Sequence, residues 1–172
     1  MKKILFVCHG NICRSPMAEF VMKDLVRQAG KSAAFDIASA ATSREEIGNP
    51  VYPPARQKLM EHHLDCSGKV ARQITLDDYH YYDMIVAMDR KNLRNLQRLF
   101  GPDTLQKISL LMDYTDCPRD VADPWYTGDF ETAWQDIWEG CNKLLQYYFS
   151  QAIIKPVLAD KYQKNRKTTQ LY

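Results

Sequence analysis

Apolar positions along the chain alternate between short unbroken runs and longer stretches with three- and four-residue spacing. Lys3 to Val7 is the first run, and its β-branched and aromatic members predict a buried strand. Met17, Phe20, Val21 and Leu25 share one helical face, with Ser15 expected as the N-cap, Pro16 at the first helical position and Gly30 just past the end. Phe35 to Ala38 predicts a second strand. After a loop at residues 48–54, Pro53 to His63 predicts a second helix carrying Leu59, Met60 and His63. Thr75, followed three residues later by Asp78, has the form of a helix cap, so a short helix is expected before an apolar strand from Met84 to Met88. Leu93, Leu96, Leu99 and Phe100 predict a helix stopped at Gly101 and Pro102, and Ile108 to Leu111 predicts a fourth strand. A long acidic loop, Met112 to Phe130, precedes the clearest helix, in which Trp134, Ile137, Trp138, Cys141, Leu145, Tyr148 and Ala152 recur until Pro156.

Strands alternating with helices imply parallel pairing through right-handed crossovers. The expected fold is a three-layer α/β/α domain with a four-stranded parallel sheet of flavodoxin-like topology, order 2-1-3-4. With 172 residues against a prior of ~150 per domain, one unit is expected at residues 1–155. A basic tail at 156–172, expected to be mobile, carries Lys161, Lys164, Arg166 and Lys167 against Asp160. The whole chain is only +2, so its charge bears no nucleic-acid signature. No apolar run approaches the ~18 residues needed to span a bilayer, and Ile4 to Val7 is too short for a secretory signal. Five cysteines, an odd number in a chain large enough to need no disulfide staples, are expected to be reduced, and the protein to be cytoplasmic.

In such sheets ligands bind beyond the carboxyl ends of the strands, which directs attention to the loop after the first strand. It reads Cys8-His9-Gly10-Asn11-Ile12-Cys13-Arg14-Ser15. Successive backbone N–H groups between a strand end and a helix N-terminus make a cradle for a tetrahedral oxyanion. Gly10 lets the backbone approach a ligand, Asn11 tolerates the left-handed conformation, and Arg14 supplies a planar fork for two phosphate oxygens. The same groups stabilise a thiolate, so Cys8 is expected to have a depressed pKa and to be nucleophilic at neutral pH, with Ser15 donating to its sulfur. Cys8, His9 and Cys13 do not have metal-ligand spacing, and no nucleotide-loop pattern is present, so neither a metal nor another cofactor is expected.

Val7-Cys8-His9-Gly10-Asn11-Ile12-Cys13-Arg14-Ser15-Pro16 resembles the signature of the low-molecular-weight protein tyrosine phosphatases, and Asp123-Pro124-Trp125-Tyr126 resembles their second motif. Ala71-Arg72-Gln73, Met88-Asp89 with Asn92-Leu93, and Gly128-Asp129-Phe130-Glu131 extend the similarity over residues 3 to 150. The resemblance implies hydrolysis of aryl phosphate monoesters, phosphotyrosine above all, through a phosphocysteine on Cys8 without a metal, releasing inorganic phosphate. Arg14 would bear charge, and Asp123 would serve first as acid and then as base. It also implies that Trp125 and Tyr126 wall the substrate cleft and that Ser39 bonds Asn11. Lys69 stands where relatives often carry a histidine that steadies this asparagine, and Glu45 where some carry an aromatic rim residue. Curling of the loop brings Cys13 within reach of a reversible disulfide with Cys8.

Phosphotyrosine proteins or aryl phosphates are the expected partners, with no nucleic acid, no membrane span and a monomeric state. Three rival readings share the residues: an arginine phosphatase, in which a threonine takes the place of Ile12; an arsenate reductase, which needs two closely spaced further cysteines; and a module that holds phosphotyrosine or oxyanions without turnover. Cys66, Cys117 and Cys141 lie far apart, and a pure binder has no need of Cys8 and Asp123.

Overall fold

Strands β1 (Lys2–Cys8), β2 (Phe35–Ala41), β3 (Met84–Ala87) and β4 (Ile108–Leu110) form one all-parallel sheet in the order β2-β1-β3-β4, as expected. The helices are α1 (Arg14–Gln28), α2 (Pro53–Glu61), α3 (Leu76–Tyr81), α4 (Arg90–Phe100), α5 (Pro124–Thr127) and α6 (Phe130–Lys167), with 3₁₀ turns at Ser32–Ala34 and Leu111–Tyr114. This is a computed structural model, and it describes the backbone of residues 1–167 and the side chains of residues 1–151.

The two-residue period of a strand divides β1 between two cores. Ile4, Phe6 and Cys8 point into a cluster with α1, α2 and α6, where Met17, Met22, Leu59, Ile137 and Cys141 are buried. Leu5 and Val7 point the other way, toward Tyr79, Tyr82, Ile85 and Leu96. Each face of the sheet is therefore covered, as an all-parallel sheet requires. Because β1 leads to β2 on one side while β3 lies on the other, the chain order switches direction at the carboxyl ends of β1 and β3.

Several expectations are corrected. Ser15 is not the cap of α1: the N-cap is Cys13, which makes no side-chain cap bond, and Ser15 lies inside the first turn with its hydroxyl turned to the interior. In α2 only Ala55 and Leu59 are buried. The helix ends at Glu61, Met60 is exposed, and His63 sits in a left-handed turn at φ 60°. Leu99 and Trp138 likewise face outward, because the neighbouring layer covers a narrower stripe than the apolar pattern offers. The acidic loop carries a 3₁₀ turn and α5. The last helix does not stop at Pro156 but runs to Lys167. Proline removes one ladder bond there, and the Leu, Ala, Lys, Gln and Arg residues beyond it are good helix formers. The expected mobility of the tail at 156–172 concerns residues whose side chains, and from 168 whose backbone, lie outside the described residues. The capping box of Thr75 and Asp78 on α3 is present as predicted.

Candidate active site

The loop between β1 and α1 is turned so that its carbonyls face outward. Cys8, His9 and Ile12 accept from the N–H groups of Thr42, Ser43 and Tyr52 at 2.9, 3.0 and 2.8 Å. Among the described residues no N–H of residues 9–13 donates to a protein acceptor. The first turn of α1 has neither a capping side chain nor an acid. A helix start with unclaimed N–H groups, next to a loop whose own N–H groups are equally unclaimed, is an anion site. Asn11 makes the curl possible by adopting φ 59°. Gly10 also leaves room for Glu46, since a Cβ there would lie 3.2 Å from Cγ of Glu46, which packs across the loop.

Cys8 lies at the end of β1 and is 3% exposed, with its sulfur 3.1 Å from Oγ of Ser15. Arg14 is almost fully buried, yet its guanidinium is held on one edge only. Nη1 donates to Asp89 at 2.6 Å and to the carbonyl of Val121 at 2.9 Å, and Nη2 donates to Asp123 at 2.9 Å. Of its five N–H donors, Nε–H and the second Nη2 hydrogen remain for an anion in the cavity it lines. Burial opposes the charge of Arg14, but the facing Cys8, Asp123 and Asp89 outweigh it and raise its pKa above the ordinary value. Asp89 caps α4 with one oxygen, accepting from Asn92 N–H at 2.7 Å, and anchors Arg14 with the other. Asp123 divides its carboxylate in the same way, between Trp125 N–H at 3.1 Å and Arg14.

The cavity over Cys8 measures about 100 Å³ and is lined by Cys8, Gly10, Ile12, Cys13, Arg14 and Asp123 at its floor and by His9, Glu45, Glu46, Trp125 and Tyr126 at its mouth. That is well under the ~300 Å³ of pockets that engulf a drug-sized ligand, so it admits an anion and leaves the rest of a substrate at the mouth. Trp125 and Tyr126 are 52% and 74% exposed, which removes core packing as their role, and Tyr52 supports Trp125 at a ring separation of 5.0 Å. His9 contacts Glu45 at 2.9 Å through Nε2, so the position expected to match an aromatic rim residue holds a polar pair.

Behind the loop, Asn11 donates through Nδ2 to Ser15 and to Ser39, each at 2.9 Å, and accepts from Arg72 N–H at 3.2 Å. Ser39 therefore sits where it was expected. Lys69 does not touch Asn11. It donates to the carbonyl of Ser39 and pairs with Glu19, both at 3.0 Å. Cys13 is buried beneath the loop with a free thiol, and burial together with the nearby Cys8 and Asp123 pushes its pKa up. Sequence reasoning did not single out Glu19, Glu46, Tyr52, Asp89 or Arg72 for a role. The one legible signal among them was the Asp89-x-x-Asn92 cap of α4.

A cysteine at the floor of an amide-lined anion loop, at the switch point of a parallel α/β sheet, defines a class of oxyanion-handling proteins. The chain matches the family model described as low molecular weight phosphotyrosine protein phosphatase over residues 3–156, and it belongs to that family. Low molecular weight protein-tyrosine-phosphatase YfkJ of Bacillus subtilis is 39% identical over 147 residues, which covers 84% of this chain and 94% of the relative. The low molecular weight phosphotyrosine protein phosphatase of Homo sapiens is 42% identical over 151 residues, with the same coverage. The crystal structure of YfkJ superposes with a TM-score of 0.85 at 37% identity, covering 88% of this chain and 96% of that one. A Drosophila arginine phosphatase, DARP, superposes at 0.77 with 34% identity, covering 86% and 98%. Among the described residues no helix is long and apolar enough to cross a membrane.

Proposed function

We propose that this chain is a protein tyrosine phosphatase that hydrolyses phosphotyrosine through a phosphocysteine on Cys8, with Arg14 and the loop amides of residues 9–13 and Ser15 bearing the charge of the phosphoryl group. The observation that carries the reading is the outward turn of the loop carbonyls above a buried cysteine, which leaves its N–H groups aimed at one small cavity. Family membership and relatives named as tyrosine phosphatases support the same reaction.

Entry of a phosphate dianion offers Arg14 a competing partner and frees one oxygen of Asp123, while Trp125 N–H retains the other. The Cys8 thiolate attacks phosphorus as the bond to the tyrosyl oxygen breaks, and Asp123 gives its proton to that oxygen. Asp123 then takes a proton from water as the water oxygen attacks phosphorus, which releases phosphate and restores the thiolate. Positioning and electrostatic stabilisation do most of the work. Trp125 and Tyr126 stack on the phenyl ring at the mouth, while Ser39 and Lys69 support the loop from behind. We also take residues 1–155 as the phosphatase unit, the protein as a cytoplasmic monomer, and a Cys8–Cys13 disulfide as a reversible shelter for the nucleophile.

Release of phosphate from a phosphotyrosine peptide, measured in excess chelator, tests the reaction. Turnover that survives chelation, with an acid-quenched phosphoenzyme mapped to Cys8, is expected. Loss of turnover on chelation would overturn the reading, and faster release from a phosphoarginine peptide would move the chain to the activity named for its Drosophila neighbour.

A further inference from the structure

The cavity over Cys8 admits an anion but not the chain that carries it, so a protein substrate has to leave the mouth along the surface. A groove of about 480 Å³ opens there on the side of α2. It shares Ile12 and Glu46 with the cavity and continues past Tyr52 and Pro53 to Arg56 and Met60. Tyr52 joins the two: its ring backs Trp125 at the mouth, and its carbonyl accepts from Arg56 N–H one turn along the helix at 2.9 Å. With a helical turn rising ~5.4 Å and an extended chain advancing ~3.3 Å per residue, Arg56 is within reach of residues about two to four places from a phosphotyrosine seated in the cavity.

The groove has an apolar flank and one open cation. Met60 is 56% exposed on it, whereas Ala55 and Leu59 of the same helix are buried. Arg56 is exposed, and among the described residues its guanidinium makes neither an ion pair nor a hydrogen bond. The acids around it are already engaged. Glu46 accepts from Asn49 at 2.6 Å, Glu61 pairs with Lys58 at 2.9 Å, and Asp65 accepts from the N–H and the hydroxyl of Ser67 at 2.8 and 2.5 Å. Lys58, the next cation on the helix, is held by both Glu61 and Glu131. Arg56 therefore presents a planar fork to a carboxylate brought from outside, beside an apolar bed on which the methylene stem of that side chain can lie.

We propose that this groove is a substrate subsite in which Arg56 reads an acidic side chain a few residues from phosphotyrosine, with Pro53 and Met60 packed against its stem. The proposal rests on the phosphatase reading and names the class of polypeptide that the site prefers. Arg56 is a specificity-determining residue. It does not line the cavity over Cys8, so it acts on the binding of the peptide and not on the bond that breaks.

The test uses a phosphotyrosine peptide flanked by alanine and serine, in which a single glutamate is walked through four positions on each side, with kcat and KM measured for each. In the wild type, glutamate at one or two adjacent positions is expected to lower KM by about twofold to fivefold with kcat kept, the worth of one exposed ion pair. Half-molar salt should erase the gain. Arg56→Ala is expected to remove it, and Arg56→Glu to reverse it, so that lysine at the same position is preferred. Arg98→Glu makes the same change of charge on α4, which packs on the opposite face of the sheet from α2, and is expected to leave the preference in place. p-Nitrophenyl phosphate is too short to enter the groove and should be turned over equally by the wild type and both Arg56 variants.

A glutamate preference absent from the wild type, spread evenly over all positions, unchanged in Arg56→Ala or lost equally in Arg98→Glu would overturn the proposal, as would a fall in p-nitrophenyl phosphate turnover in Arg56→Ala. Binding of the same peptides to Cys8→Ser, followed by fluorescence polarisation, separates this proposal from the reading beneath it. Should the wild type release no phosphate from any substrate, the phosphatase reading falls and the binding series still decides the groove: a glutamate preference that depends on Arg56 upholds it, and its absence overturns it.

Discussion

The floor and the mouth of the cavity are built on opposite principles. At the floor Cys8, Asn11, Arg14, Ser15 and Ser39 are all 3% exposed or less, and each polar side chain has partners on two or more elements. Arg14 alone ties α1 to the N-cap of α4 and to the loop that enters α5. At the mouth Trp125 and Tyr126 are exposed, the Glu45 side chain is 71% exposed, and contacts are pairwise: Trp125 on Tyr52, and His9 on Glu45. Low dielectric strengthens a satisfied network and penalises each group it leaves unpaired, so a change at the floor is felt by several neighbours. Contacts at the mouth are screened by water and can be exchanged one at a time. Under the proposed function, chemistry belongs to the floor and choice of substrate to the mouth.

Substitutions taken from floor to mouth test that division. Cys8→Ser is expected to lower kcat on the order of 10⁴-fold or more, as deletion of a nucleophile does, with steady-state phosphate release as the measurement. Asp123→Ala is expected to cost roughly 10² to 10⁴ in kcat, and less for a substrate with an acidic leaving group, because the lost function is proton donation. Arg14→Lys keeps the charge but loses the fork, leaving Asp89 and Asp123 without their shared partner. A fall of about 10² to 10³ in kcat is expected, together with weaker competition by inorganic phosphate.

At the mouth Trp125→Ala is expected to raise KM for aryl phosphates by roughly threefold to tenfold, the worth of one aromatic stack, with kcat nearly kept. Glu45→Lys is expected to change kcat/KM by only about twofold to fivefold between peptides with basic and acidic residues beside phosphotyrosine, and half-molar salt should erase the difference. A mouth substitution that lowered kcat a hundredfold, or a floor substitution that moved only KM, would dissolve the contrast.

Much of the floor was legible in the sequence. Cys8, Arg14 and Ser15 stand in one continuous segment, and a strand end joined to a helix start places such a segment at the edge of a parallel sheet. The order of the four strands was legible for a similar reason, since parallel pairing and right-handed crossovers leave few alternatives. Of the two duties expected of Ser15, the contact with the Cys8 sulfur is present and the cap is not: a hydroxyl before Pro16 predicts a cap, but the helix begins at Arg14, two residues before Pro16, and the hydroxyl is shared between the sulfur and Asn11. Met60, Leu99 and Trp138 were placed on apolar faces that prove wider than the layer packed against them.

Local pattern, then, determined the strands, the helices and the loop that carries Cys8, because hydrophobic period, turn chemistry and the Cys8 to Arg14 spacing are properties of neighbouring residues. Which carboxylate holds Arg14, and which holds Ser39, was decided only when distant segments met: Asp89 is 75 residues from Arg14, and Glu19 is 20 from Ser39. Gly140 shows the same division in stability. Helix propensity favours alanine at an interior position of α6, but a Cβ there would come within 2.5 Å of Leu111, so packing reverses the preference. Pairings of this kind carry no local signal, because their energy comes from excluding water between groups that only the folded chain brings together.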